Sequence, residues 1–149
     1  MDVRLTQIGT EEPELVDIRY WQMTEQVREI ASFVRMTQDG IACTMDGKLY
    51  RVPVAELLYA EAVDNRVFAY TAADVFEVRM RLYELEQALK GHRFLRISKQ
   101  TLVNLMKVES IRPALNGRFT IRLQNGEDVI VTRKYVANLK QTLREGSIS

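Results

Sequence analysis

The chain has 149 residues, 46% of them hydrophobic, with a formal charge of +1; that is enough to bury one good core with a small appendage, but not two full domains. Cys43 is the only cysteine, which excludes an internal disulfide and a cysteine-based zinc site and reads as a buried, inert thiol. No apolar run of signal-peptide length opens the sequence, and no segment approaches the roughly 18 apolar residues of a membrane span, so the expectation is a cytoplasmic chain without membrane insertion.

Residues 2–8 alternate Val3 and Leu5 with polar neighbours, and Leu15–Tyr20 alternates in the same way; both suit short strands, separated by an acidic Thr-Glu-Glu-Pro turn. Val27, Ile30, Ala31 and Val34 then recur at helical spacing behind Thr24, a good N-cap. Glu25 falls in the first turn, where the helix dipole favours an acid. The spacing predicts an amphipathic helix over 24–36.

From about residue 38 the period changes to two. Asp46-Gly47 separates the strands 41–45 and 49–54, Asp64-Asn65 separates 57–63 and 67–71, and Phe76, Val78 and Met80 alternate on a further strand. Residues 81–89 are then helical, with Leu82, Leu85 and Leu89 on one face and Gly91 as a natural stop.

Strands at 94–97, 101–103 and 108–113 follow, with Asn116-Gly117 as the next turn. Phe119, Ile121 and Leu123 alternate toward Asn125-Gly126, which predicts a type I′ hairpin returning through 129–131. A short helix over 133–143, with Thr132 as its cap and Val136, Leu139 and Leu143 on one face, closes the chain.

The near-neutral total hides segregated charge. Residues 1–40 carry 8 acids against 4 bases, whereas Lys90 to Arg144 holds 12 Lys or Arg against Glu109, Glu127 and Asp128. A basic back half suggests a polyanionic partner, because each cation near a phosphate releases condensed counterions. On charge alone, a solvated Lys/Arg-rich surface competes evenly with that reading.

The inventory argues against catalysis. His92 is the sole histidine and stands between Gly91 and Arg93, with no cysteine or second histidine at metal-ligand spacing. There is no phosphate-cradling Gly-rich loop and no Ser or Cys nucleophile motif. Glu84 and Glu86 lie two apart on a helix and diverge. Neither a cofactor nor a metal is expected, and Glu61, Tyr59 and Tyr135 read as structural.

Five ordered motifs between Lys48 and Leu143 carry a family resemblance: Leu57-Leu-Tyr-Ala-Glu-Ala62, Leu82-Tyr-Glu-Leu-Glu86, Phe94-Leu-Arg-Ile-Ser-Lys-Gln-Thr-Leu-Val-Asn104, Leu123-Gln-Asn-Gly126 and Val131-Thr-Arg-Lys-Tyr135. Together they resemble the LytTR DNA-binding domain, the output module of many bacterial response regulators. The resemblance implies a mainly β fold, α+β overall, of antiparallel strands in three small stacked sheets with short helices, rather than a helix-turn-helix.

It also implies loops that enter successive grooves along one face of a bent duplex. Carried over by position, these are Asp64-Asn65-Arg66, Ser98-Lys99-Gln100 and Arg133-Lys134. The family block commonly reads His-Arg-Ser where this chain has Ser98-Lys99-Gln100, so the middle loop keeps its cation and loses the imidazole. Arg133 can meet guanine O6 and N7 together, Lys99 suits a point contact with phosphate, and Arg66 follows a tight turn that would project it. Arg96 and Asn104 are set aside as supports for the loop.

The expected organisation is a β-β-α extension over 1–40 and a LytTR-like domain over 41–149. This arrangement resembles stand-alone LytTR regulators, which are often encoded beside a small membrane protein. A membrane regulatory partner, dimerisation through the Val27/Ile30/Val34 face, and packing of the extension on its own domain all remain open. The expected function is sequence-specific duplex binding that regulates transcription, as a homodimer on DNA. A non-enzymatic interaction module whose basic face meets an acidic protein is the alternative.

Overall fold

The structure, a computed structural model, describes residues 1–146. Its first helix, α1 (Glu25–Gln38), begins as the capping chemistry predicts, with the Thr24 hydroxyl accepting the Val27 N–H at 3.3 Å. Then follow β1 (Gly40–Met45), β2 (Lys48–Pro53), a 3-10 turn (Val54–Glu56), β3 (Tyr59–Val63), β4 (Arg66–Tyr70) and β5 (Val75–Val78). Next come α2 (Leu82–Ala88), β6 (Phe94–Arg96), β7 (Thr101–Asn104), β8 (Val108–Pro113), β9 (Phe119–Leu123), β10 (Asp128–Val131) and α3 (Val136–Gly146).

Two sheets form where three were expected. A seven-stranded sheet runs β2-β1-β5-β4-β3-β7-β6 and a three-stranded sheet runs β10-β9-β8, with every pairing antiparallel. Two inter-hairpin pairings cause the merger. Thr44 opposite Glu77 joins the β1–β2 hairpin to β5, and Tyr59 opposite Val103 joins β3 to β7.

Two cores flank the large sheet. Leu82 and Leu85 of α2, together with Leu89, meet Cys43, Val67, Phe76 and Leu102 in one; Ile121, Leu123, Val131 and Leu139 meet Tyr59, Ile97 and Val103 in the other. Strand β7 is covered on both sides, so Thr101, Leu102, Val103 and Asn104 are all buried. The buried amide of Asn104 is satisfied: Nδ2 donates to the Leu57 carbonyl at 2.8 Å and Oδ1 accepts the Met106 N–H at 2.9 Å.

The two strands expected at 2–8 and 15–20 do not form, and residues 1–23 hold no regular element. Their alternation has nothing to cover: Val3 is 86% and Leu5 92% exposed, and Trp21 is fully exposed. An isolated strand pair is marginal without a sheet or helix to bury it. Helix α1 instead packs on its own domain, against the Val54–Glu56 turn and β2, with Val27 buried.

Polar anchors hold α1 there. The Arg93 guanidinium meets Glu25 directly and Glu29 at 3.7 Å. After the helix, the Asp39 carbonyl accepts the Val54 N–H at 2.9 Å, and Asp39 Oδ2 lies 2.9 Å from His92 Nε2.

Two turns differ from expectation. At 123–127 only Gly126 has positive φ (+89°), and its N–H returns to the Leu123 carbonyl at 2.9 Å. This is a three-residue loop with a glycine bulge, not a type I′ turn, which needs two positive φ angles. Asn125 stays out of that region while its side-chain oxygen accepts the Glu127 N–H at 3.1 Å. At the C-terminal end, a 3-10 turn (Arg133–Tyr135) precedes α3, and Thr132 makes no side-chain cap. Its hydroxyl and N–H both donate to the Ile97 carbonyl instead.

Candidate nucleic-acid interface

The β3–β4 connection is the type I′ turn that its Asp-Asn pair suits, since both residues tolerate the left-handed region: φ is +51° at Asp64 and +64° at Asn65. Val63 pairs with Arg66 across it, which leaves Asn65 at the tip and Arg66 exposed on the first position of β4. Arg66 is engaged rather than free. Its Nη2 lies 2.6 Å from Glu77 Oε1 and its Nε 3.1 Å from Oε2, and its guanidinium sits 5.6 Å from the centre of the Phe68 ring. These bonds hold the Glu77 carboxyl below the usual carboxylate range and raise Arg66 further above its own.

The β6–β7 connection is drawn tight by the Ile97 N–H donating to the Thr101 carbonyl at 3.0 Å. Ser98 is buried and its hydroxyl accepts the Gln100 N–H at 3.2 Å, so it shapes the loop. Lys99 and Gln100 are exposed. Arg133 and Lys134 are exposed on the 3-10 turn before α3.

Backbone bonds stitch these three segments together. The Ala62 N–H donates to the Gln100 carbonyl at 2.8 Å, which joins the first loop to the second; the Thr132 N–H donates to the Ile97 carbonyl at 3.0 Å, which joins the second to the third. The β3–β4 and β6–β7 turns therefore share one end of the seven-stranded sheet, with Arg133 beside them. Three strand spacings, from β4 to β6, amount to about 14 Å.

The basic half divides by partner. Arg93 is committed to Glu25 and Glu29, Arg96 stands 3.6 Å from Glu86, and Arg112 and Arg122 share Asp128 at 3.4 and 2.9 Å. The Asp128 carboxyl is accordingly held below its ordinary range, chiefly by hydrogen bonds from Arg122. Lys99, Arg133 and Lys134 have no carboxylate at ion-pair distance among the described residues. The cations on the stitched edge, Arg66 apart, thus lack a carboxylate partner among the described residues, as do Lys90, Lys107, Arg118 and Lys140 elsewhere in this half.

Gly117 is a part of this edge that sequence reasoning missed. Its φ is +73°, and a Cβ added there would stand 2.7 Å from Arg133 Cδ, so the Arg133 stem lies across the bare glycine. The Asn116-Gly117 turn was legible in the sequence, but its approach to Arg133 was not.

The remaining inventory is spare. No group of three metal-ligating side chains occurs among the described residues, and no helix there is long and apolar enough to cross a membrane. Burial pushes the Cys43 thiol up to about 11.

Residues 47–144 match the model of the LytTr DNA-binding domain. Two uncharacterized HTH-type transcriptional regulators of Staphylococcus aureus are similar along most of their length. That of strain NCTC 8325 / PS 47 is 26% identical over 137 residues, covering 91% of this chain and 92% of its own. That of strain MSSA476 is 27% identical over 130 residues, covering 86% and 88%. The solved LytTr DNA-binding domain of a putative methyl-accepting/DNA response regulator from Bacillus cereus superposes with a TM-score of 0.68 at 23% identity, over 71% of this chain and 97% of that domain. It shares the mainly antiparallel fold. Among the described residues, strands separate all three α-helices, so no pair of consecutive helices forms a helix-turn-helix.

Proposed function

The chain belongs to the LytTr DNA-binding domain family, a non-enzymatic family of transcription regulators, and from that premise we propose how it engages its duplex. Asn65 and Arg66, Lys99 and Gln100, and Arg133 and Lys134 enter successive grooves along one face of the DNA and bend it, with Ser98 fixing the middle loop. The observation that carries this reading is the pair of backbone bonds, Ala62 to Gln100 and Thr132 to Ile97, which hold three sequence-distant loops on one edge. Arg133 reads a guanine edge, and Lys99 meets phosphate.

Two copies occupy two half-sites. Their contact lies in residues 1–23, whose Leu15, Val16, Tyr20 and Trp21 are exposed, and not in the α1 stripe that packs on its own domain. A small membrane regulatory protein competes for the same exposed segment.

The test is a titration of labelled duplexes selected from random sequence, at several salt concentrations, together with a bend assay by end-to-end energy transfer. Steep log–log loss of affinity with salt, a preferred sequence and a shortened end-to-end distance are the expected results. No preferred sequence and a flat salt response would overturn the reading, and would favour an acidic protein as the partner of the basic edge.

A further inference from the structure

A cleft of about 510 Å³ opens beside the first loop, lined by Asn65, Arg66, Glu77, Arg79, Arg81 and Glu84 among others. Its two carboxylates already have partners. Glu77 is held by Arg66 through both oxygens, and Glu84 Oε1 accepts the backbone N–H of Arg81 at 2.9 Å. Arg79 acts on Glu77 only at longer range, and neither the Arg79 nor the Arg81 guanidinium has a carboxylate at ion-pair distance among the described residues. Both side chains are exposed.

Their position in the sheet gives the cleft its direction. Val67 pairs with Val78, so the end of β5 lies at the same end of the sheet as Asn65 and Arg66. Strand β5 neighbours β4 on the side away from β7 and β6. Arg79 and Arg81 therefore continue the row of loops outward by one strand spacing, about 5 Å. Along a duplex that distance adds about three phosphates, counting both strands.

We propose that Arg79 and Arg81 form a flanking phosphate clamp that lengthens the DNA footprint beyond Arg66, on the side opposite Lys99 and Arg133. This rests on the duplex-binding reading above. The two side chains stand on a strand end and the start of a short helix instead of a projecting turn, so they grip the backbone and leave base reading to the loops. Their ligand is the phosphodiester oxygens of duplex outside the recognised sequence.

The experiment compares the full chain with its R79Q/R81Q and R79K/R81K variants, each checked for the native circular dichroism spectrum. Probes are two duplexes carrying the preferred site, one with long flanks and one trimmed on the Arg66 side. On the long duplex the glutamine variant should flatten the log affinity–log salt slope by about 1.8, so that its deficit shrinks about twelvefold between 50 and 200 mM salt. The lysine variant should keep most of the slope, because a point charge suffices for phosphate. On the trimmed duplex the three proteins should converge.

Equal slopes for wild type and R79Q/R81Q on the long duplex overturn the clamp while leaving sequence-specific binding intact. A deficit that persists undiminished on the trimmed duplex overturns it as well, since the arginines would then act inside the site. Single R79Q and R81Q variants, each expected to remove about half the effect, decide the matter if the double variant unfolds. A wild-type protein with no steep salt dependence on either duplex takes down the underlying duplex reading, and the clamp with it.

Discussion

Arg66 Nη2 stands 2.6 Å from Glu77 Oε1, so the cation at the first loop is neutralised by its own sheet before any duplex arrives. A phosphate that approaches Arg66 must share it with a carboxylate that repels phosphate. Glu77→Gln should therefore strengthen binding to every duplex by about two- to fivefold at low salt, with the gain fading as salt screens it. Fluorescence anisotropy with specific and scrambled duplexes measures both. The pH response has a definite sign. Arg66 holds the Glu77 carboxyl below its ordinary range, so the pair persists above that lowered value and is lost only as pH falls through it. Lowering the pH from 7 to 5 should not reproduce the Glu77→Gln gain.

Arg133 should carry base discrimination, and Gly117 should hold it in place. Arg133→Ala is expected to cost about 1–3 kcal/mol on the preferred site and to relax one base position. Gly117→Ala combines a strained positive φ with a Cβ 2.7 Å from Arg133 Cδ, and should cost about 1–2 kcal/mol of stability as well as specific affinity. In an Arg133→Ala background, Gly117→Ala should cost stability but no further discrimination. Full additivity in the binding cycle would separate the two residues.

Lys99 is exposed on a loop whose shape is fixed by Ser98 and the Ile97–Thr101 bond. Lys99→Ala should weaken specific and scrambled duplexes alike and reduce the magnitude of the salt slope by about one unit. A loss restricted to the preferred sequence would make it a base reader.

Truncation should separate association from binding, provided it stops before α1. Deleting residues 1–22 should leave half-site affinity nearly intact and shift sedimentation toward the monomer. Deleting through residue 37 should instead destabilise the whole chain, because it strips Glu25 and Glu29 from Arg93 and uncovers the Val54–Glu56 turn that α1 packs on. Chemical denaturation of both products checks the difference.

Local chemistry made much of the fold legible. Thr24 announced α1, Asp64-Asn65 announced the turn between β3 and β4, and the Leu82/Leu85/Leu89 spacing announced α2 and the core it faces. Legibility failed where an outcome depended on distant partners. Val3 and Leu5 alternate like a strand, yet no edge receives them. One failure was local: Asn125-Gly126 looks like a type I′ pair, but the Asn125 side-chain oxygen accepts the N–H of Glu127, two residues on. The candidate cations were visible, whereas Glu77 beside Arg66, Gly117 beneath Arg133 and the pair Arg79 and Arg81 emerged only once strands separated in sequence had been brought side by side.

The family match begins at residue 47, yet β1 (Gly40–Met45) lies inside the seven-stranded sheet, between β2 and β5. Excising the matched stretch would leave β2 without β1, the strand it pairs with, and turn β5 into a bare edge. It would also remove Ile41 and Cys43 from the core. The piece that keeps the seven-stranded sheet whole is therefore wider than the piece that sequence likeness delimits. A chimaera built by grafting this module onto another input domain needs its junction upstream of Thr24, where the chain makes no regular structure and a splice disturbs no ladder.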